Sequence, residues 1–162
     1  MAEEPIEKKI TRILIHRKMT VTAAESCTGG LVAGTLVNAD GISEVFKESY
    51  VTYSNEAKHK LLGVKKETLE KYGAVSRQTA AEMAEGAVRA AGADASVVTT
   101  GVAGPGGGTE EKPVGLVYIG CYVKGCTIVK RCFYGGDRQG VRYSAVKEAL
   151  DILYCQLLAD EH

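Results

Sequence analysis

The stretch VGLVYIGCYVKGCTIVKRCFY (residues 114–134) holds two β-rich runs, VGLVYIGCYV and CTIVKRCFY, separated only by Lys124-Gly125. A two-residue connection of this kind predicts a hairpin, and with it one antiparallel pair. The strands upstream are spaced differently. TVTAA (20–24) reads as a short buried strand, ESYVTYS (48–54) alternates and is rich in β-formers, and ASVVTTG (95–101) is a β-branched buried run. Helical patterns lie between them. Leu31, Val32, Leu36 and Val37 recur at helical intervals over 29–37, and NADGIS (38–43) is then a turn cluster. A helix capped by Ser54 or Asn55 runs through Leu62 to Gly63, and a short one covers about 66–72. The Ala-rich VSRQTAAEMAEGAVRAAG (75–92) has Ser76 as N-cap and Gly92 just past its end. An amphipathic helix over 5–18, with Ile6, Ile10, Ile13 and Leu14 in step, opens the chain. Another, over 138–158, closes it with Val141, Ala145, Ala149, Ile152, Leu153 and Leu157 turned inward. Strands joined through helices, followed by a hairpin, predict an α/β fold with a mixed sheet and helices on both faces.

The 162 residues, with 45% apolar and 25% charged, fit one soluble domain over 1–162 that needs no metal or disulfide to fold. Lys+Arg and Asp+Glu are both 20, so the net charge is zero. That balance argues against nucleic acid as a partner, which requires a basic face, but leaves room for one small phosphate pocket. The opening MAEEPIEKKITRIL is charged and lacks a signal peptide's apolar stretch. No run reaches the roughly 18 apolar residues of a membrane span, so a cytoplasmic protein with no membrane partner is expected. The five cysteines are odd in number and form no CxxC pair, which suggests neither a disulfide framework nor a zinc site.

Chemistry concentrates in three segments. TAAESCTGG (22–30) sets Ser26 and Cys27 side by side at a strand-to-helix junction. Unpaired N–H groups at such a junction bind phosphate or an oxyanion, and glycines let a ligand come close. The plainer reading makes Ser26 or Thr28 an N-cap. A reactive Ser26 needs a base. The neighbouring positions supply neither a G-x-S-x-G elbow nor an S-x-x-K lysine. His16, His59 and His162 are poorly placed, His59 reading as a solvated helix residue. YSNEAKHK (53–60) offers Tyr53 at a strand end and Lys58 a turn into the next helix. Both lie at the carboxyl ends of strands, where α/β folds bind ligands, although a surface lysine is the ordinary reading. Cys27 is the rival nucleophile, with no histidine partner in view. TTGVAGPGGGTEEKPVG (99–115) matches neither phosphate-loop pattern, but its backbone and the hydroxyl of Thr99 or Thr100 can wrap a ligand. GGDRQGVRYSA (135–145) places Arg138 and Arg142 four residues apart at a helix start, suited to one phosphate monoester or else simply solvated.

Taken together, AESCTGGLVAGTL, VTYSNEAKHKLLGV, GAVSRQTAAEMAEG, TTGVAGPGGGTEEKPVGLVYIG and GGDRQGVR closely resemble the CinA C-terminal domain family, over about residues 6–158. The resemblance implies a three-layer α/β/α sandwich with a mixed sheet, often dimeric or of higher order. It implies a nicotinamide-nucleotide amidohydrolase that converts nicotinamide mononucleotide to nicotinate mononucleotide and ammonia, with no metal and no cofactor. It puts the nucleophile on Ser26 and proton transfer on Tyr53 and Lys58. Cys27, Thr28, Gly29, Thr100, Gly101, Ala103 and Gly104 are then expected around the substrate, with backbone donors near Cys27 to Gly29 for the oxyanion. Arg138 and Arg142 are expected at its phosphate, Arg142 foremost. This chain departs from the family pattern at Gly41-Ile42-Ser43 and Glu48-Ser49-Tyr50. The larger N-terminal domain of some members has no counterpart in it, so pyrophosphatase activity is not expected. A non-catalytic nucleotide- or partner-binding domain of the same fold is the competing expectation.

Overall fold

The computed structural model describes residues 2–161. The hairpin forms as two eight-residue strands, β4 (Leu116–Val123) and β5 (Cys126–Phe133). Lys124 and Gly125 between them both adopt positive φ (43° and 87°), the geometry of a tight hairpin turn matched to strand twist. Three further strands, β1 (Val21–Glu25), β2 (Tyr50–Val51) and β3 (Ala95–Gly101), complete one sheet of order β2-β1-β3-β4-β5. β1 pairs in parallel with β2 and β3, while β4 is antiparallel to both neighbours, so the sheet is mixed as expected.

Helices cover both faces. Residues of α1 (Ile6–Arg17), α2 (Leu31–Leu36) and α6 (Arg138–Ala159) bury Ile10, Leu14, Val32, Leu36, Val141, Leu150 and Leu153 against Ala23, Val97, Ile119 and Cys121 on one side. On the other side α3 (Asn55–Leu62), α4 (Lys66–Tyr72) and α5 (Arg77–Ala91) bury Leu62, Leu69, Met83, Ala84 and Ala87 against Ala24 and Val98. The alternation that a strand imposes explains the split. Ala23 and Val97 face one layer, Ala24 and Val98 the other.

At α3 and α5 the caps read from sequence are the ones used. Ser54 Oγ accepts the Ala57 N–H at 3.0 Å and Ser76 Oγ the Thr79 N–H at 3.1 Å, while Gly63 and Gly92 end their helices in the left-handed conformation. Two segments differ. The strand expected over 48–54 is only two residues long, and a 3-10 turn (Ile42–Glu44) stands within the turn region. β2 pairs only through Tyr50 and Val51, opposite Ala24 and Glu25 at the end of β1, after which the chain turns into α3.

The α3–α5 contact sets where Lys58 stands. At Gly86 a Cβ would lie 1.9 Å from the Leu62 carbonyl oxygen, so α5 meets the end of α3 at a distance only glycine permits. Gly86→Ala forces backbone apart in a packed layer, and overpacking of this kind costs about 1–3 kcal/mol. A urea midpoint unchanged from the wild type would contradict this packing.

Candidate active site

β1, β2 and β3 deliver the site at their carboxyl ends. The Ser26 N–H donates to the Thr99 carbonyl at 3.0 Å and the Thr52 N–H to the Glu25 carbonyl at 2.9 Å, so the three strand ends are in register where the pocket begins. Lys58 is the fourth residue of α3. Long helix side chains lean toward the amino end of their helix, which here is the strand-end side. Its Nζ lies 3.2 Å from Ser26 Oγ and 2.8 Å from the Thr52 carbonyl oxygen. The side chain is 1% exposed, and no carboxylate among the described residues forms an ion pair with it. Loss of hydration therefore pulls its pKa down from 10.5 to about 8.

Ser26, 9% exposed, opens on a pocket of about 300 Å³. Cys27, Tyr53, Lys58, Thr100, Gly101, Ala103, Gly104 and Arg138 line it with Ser26. Ala74, Val75, Val102, Gly106 and Gly107 also line it and carry no sequence signal beyond the glycine loop itself. The Thr100 hydroxyl donates to the Ala74 carbonyl at 2.8 Å and so ties the pocket wall together. Tyr53 is 62% exposed at the rim. Its hydroxyl accepts from Arg138 Nη2 at 3.0 Å, and Arg138 Nη1 donates to the Gly104 carbonyl at 2.7 Å, linking three distant segments across the mouth.

Arg142, Thr28 and Gly29 are not among the lining residues. Arg142 donates from Nε to the Cys27 carbonyl (2.9 Å) and from Nη2 to the Thr28 carbonyl (3.2 Å). The N-cap of α2 is Gly30, without a side-chain bond, so neither Ser26 nor Thr28 is the cap. Glu25 does that work from one strand residue earlier. Buried, its carboxylate accepts the N–H groups of Val32 (2.8 Å) and Ala33 (3.1 Å) and the Thr28 hydroxyl (2.6 Å). The Thr28 and Thr99 hydroxyls are 2.7 Å apart. Sequence reading missed Glu25. The signal was there: an acidic residue ending a wholly buried strand, just ahead of a helix with no capping side chain of its own.

These contacts narrow the available backbone donors. The Gly29 N–H is spent on the Ser26 carbonyl (3.1 Å). The N–H groups of Cys27 and Thr28, one and two residues after Ser26, have no acceptor among the described residues. Among the described residues no group of three or more His, Cys, Asp or Glu side chains could hold a metal ion. No helix there is long and apolar enough to cross a membrane. His16 and His59 lie outside the pocket, and His162 lies outside the described residues.

The family model for the CinA C-terminal domain matches residues 3–157. A relative from Clostridium beijerinckii that carries a competence-damage inducible name is 57% identical over 148 residues, 91% of this chain and 36% of its own length. One from Clostridioides difficile with the same name is 54% identical over 155 residues, 96% of this chain and 37% of its own. The chain thus spans little more than a third of the curated relatives it matches. Among solved structures, the CinA superfamily protein from Escherichia coli superposes with a TM-score of 0.89 at 37% identity, covering 94% of this chain and 88% of that one. The competence/damage inducible protein CihA from Agrobacterium tumefaciens superposes at 0.84 with 43% identity, covering 94% and 96%.

The two candidate nucleophiles are chemically unequal. Burial pushes the Cys27 thiol up to about 11 and leaves it 5% exposed. A thiol so placed holds almost no thiolate near neutral pH. Iodoacetamide at pH 7.5 is therefore expected to alkylate the exposed Cys126 and Cys155 and to spare Cys27, read by peptide mass spectrometry. Alkylation of Cys27 at the rate of Cys126 in the folded protein would restore it as a rival.

Proposed function

Because the chain belongs to the CinA C-terminal domain family, we propose that it is a serine amidohydrolase acting on nicotinamide mononucleotide. The products are nicotinate mononucleotide and ammonia. The observation that carries this reading is the buried Lys58 amine 3.2 Å from Ser26 Oγ. The family resemblance supplies the substrate.

The neutral Lys58 amine takes the Ser26 hydroxyl proton as Oγ bonds to the carboxamide carbon. The oxygen of that carbon becomes an oxyanion, and we assign the N–H groups of Cys27 and Thr28 as its donors. When the C–N bond breaks, the Lys58 ammonium returns its proton to the leaving nitrogen, which departs as ammonia. A water molecule then gives a proton to Lys58 and attacks the acyl-serine. On collapse Lys58 passes that proton to the departing Ser26 Oγ, and the product acid loses its own proton to solvent and leaves as the carboxylate. The pocket volume is at the small end for ligand sites. Arg138, with Tyr53 bonded to it, is assigned to the phosphate at the rim. No metal or cofactor takes part in these steps.

Ammonia release from the nucleotide, absent from Ser26→Ala, is the test of the reaction. Equal release from both proteins, or from neither, would sink it. The pH profile tests the base. With a pKa of about 8, only about a tenth of Lys58 is neutral at pH 7, so kcat/KM should rise close to tenfold per unit below pH 8 and level off above it. Lys58→Met should abolish both the activity and the slope, and an unchanged profile in that variant would remove Lys58 from the mechanism.

A further inference from the structure

Arg142 presents a problem that the reaction alone does not explain. It sits in the first turns of α6, yet it does not line the pocket and spends its bonds on two main-chain carbonyls, those of Cys27 and Thr28. Both carbonyls belong to the turn that carries the nucleophile. In a trans peptide the C=O and the following N–H point in opposite directions. Holding the Cys27 carbonyl on Arg142 therefore turns the Thr28 N–H away from Arg142. That N–H has no acceptor among the described residues. Glu25 secures the other end of the same turn through Thr28 Oγ1, Val32 N and Ala33 N. Hydrogen bonds with an ionised partner are about twice as strong as neutral ones, so the turn is held from both ends by charge. Gly29 fits this arrangement. At φ +59° and with its missing Cβ only 3.3 Å from Arg142 Nη2, it leaves room for the guanidinium to lie against the backbone.

We propose that Arg142 is a positioning residue for the Ser26–Gly29 turn, one that fixes the direction of the Thr28 N–H beside the nucleophile, and that Arg138 alone meets the substrate phosphate. This rests on the amidohydrolase reading above. The two roles differ in a way phosphate itself can report. Nicotinamide riboside carries the same carboxamide and lacks the phosphate. Arg142→Met should lower kcat by about 100-fold, the scale of losing one oxyanion donor, with little change in KM. The loss should be the same factor on riboside and mononucleotide. Arg138→Met should instead raise KM for the mononucleotide by a larger factor than for the riboside. Arg142→Lys, which can reach one carbonyl but not both, should recover part of kcat. A loss in Arg142→Met confined to the phosphorylated substrate and carried by KM would overturn the proposal. Hydrogen exchange gives a readout that needs no turnover. Amides 27–31 should exchange faster in Arg142→Met while those of β3 stay as protected as in the wild type. Unchanged exchange at 27–31 would overturn the positioning role. A wild type that hydrolyses neither compound would end the amidohydrolase reading and leave the exchange result to decide this one.

Discussion

β1 has a parallel partner on each side, and the positions of Ser26 and Lys58 follow from that. The chain leaves β1 toward β2 in one direction and then passes back over it to β3 in the other. Right-handed crossovers in opposite directions put their helices on opposite faces. So α2 packs on one side and α3 to α5 on the other, and the gap between them opens at the carboxyl end of β1. Ser26 is the first residue beyond that end. Lys58 arrives from the far face through the first turn of α3, and the carbonyl of Thr52, freed by the early end of β2, is there to receive it.

Glu25 and Lys58 are both buried within this small region, and the structure keeps their chemistry apart. Glu25 finds three hydrogen-bond partners, the Thr28 hydroxyl and the N–H groups of Val32 and Ala33, and has no bond to Lys58. A carboxylate touching the amine would hold it charged and raise its pKa. Without one, Lys58 is left with a neutral carbonyl and a hydroxyl, and desolvation decides its state. The negative charge is used for anchoring the helix, and the amine is left free to exchange a proton. Burial costs are thereby met by hydrogen bonds at Glu25 and turned into a lowered proton affinity at Lys58.

Local rules carried most of the fold in the sequence. Ser54, Ser76, Gly63 and Gly92 each do what their residue type favours at a helix end, and ASVVTTG is a strand over its full length. The rest depends on partners far away in sequence. ESYVTYS has the composition of a seven-residue strand, but only Tyr50 and Val51 enter the ladder with β1, which ends at Glu25. Ser26 and Lys58 were legible as candidates. Their approach was not, since it depends on how closely α3 sits on α5 at Gly86. Arg142 illustrates the limit most sharply. Its motif and spacing say that a guanidinium belongs here, and only the packed structure says which oxygens it meets.

The bridge from Gly104 through Arg138 to Tyr53 has a consequence for the order in which the protein is made. A ribosome finishes β1 to β3 and the β4–β5 hairpin before α6 exists. At that stage Ser26 and Lys58 can already be neighbours, but the mouth of the pocket has no arginine and the Ser26 turn has no grip on its carbonyls. Maturation of the site thus coincides with docking of α6, whose Val141, Ala145, Ala149 and Leu153 bury against the finished sheet. The same helix that seals one face of the core also supplies the arginine at the mouth of the pocket.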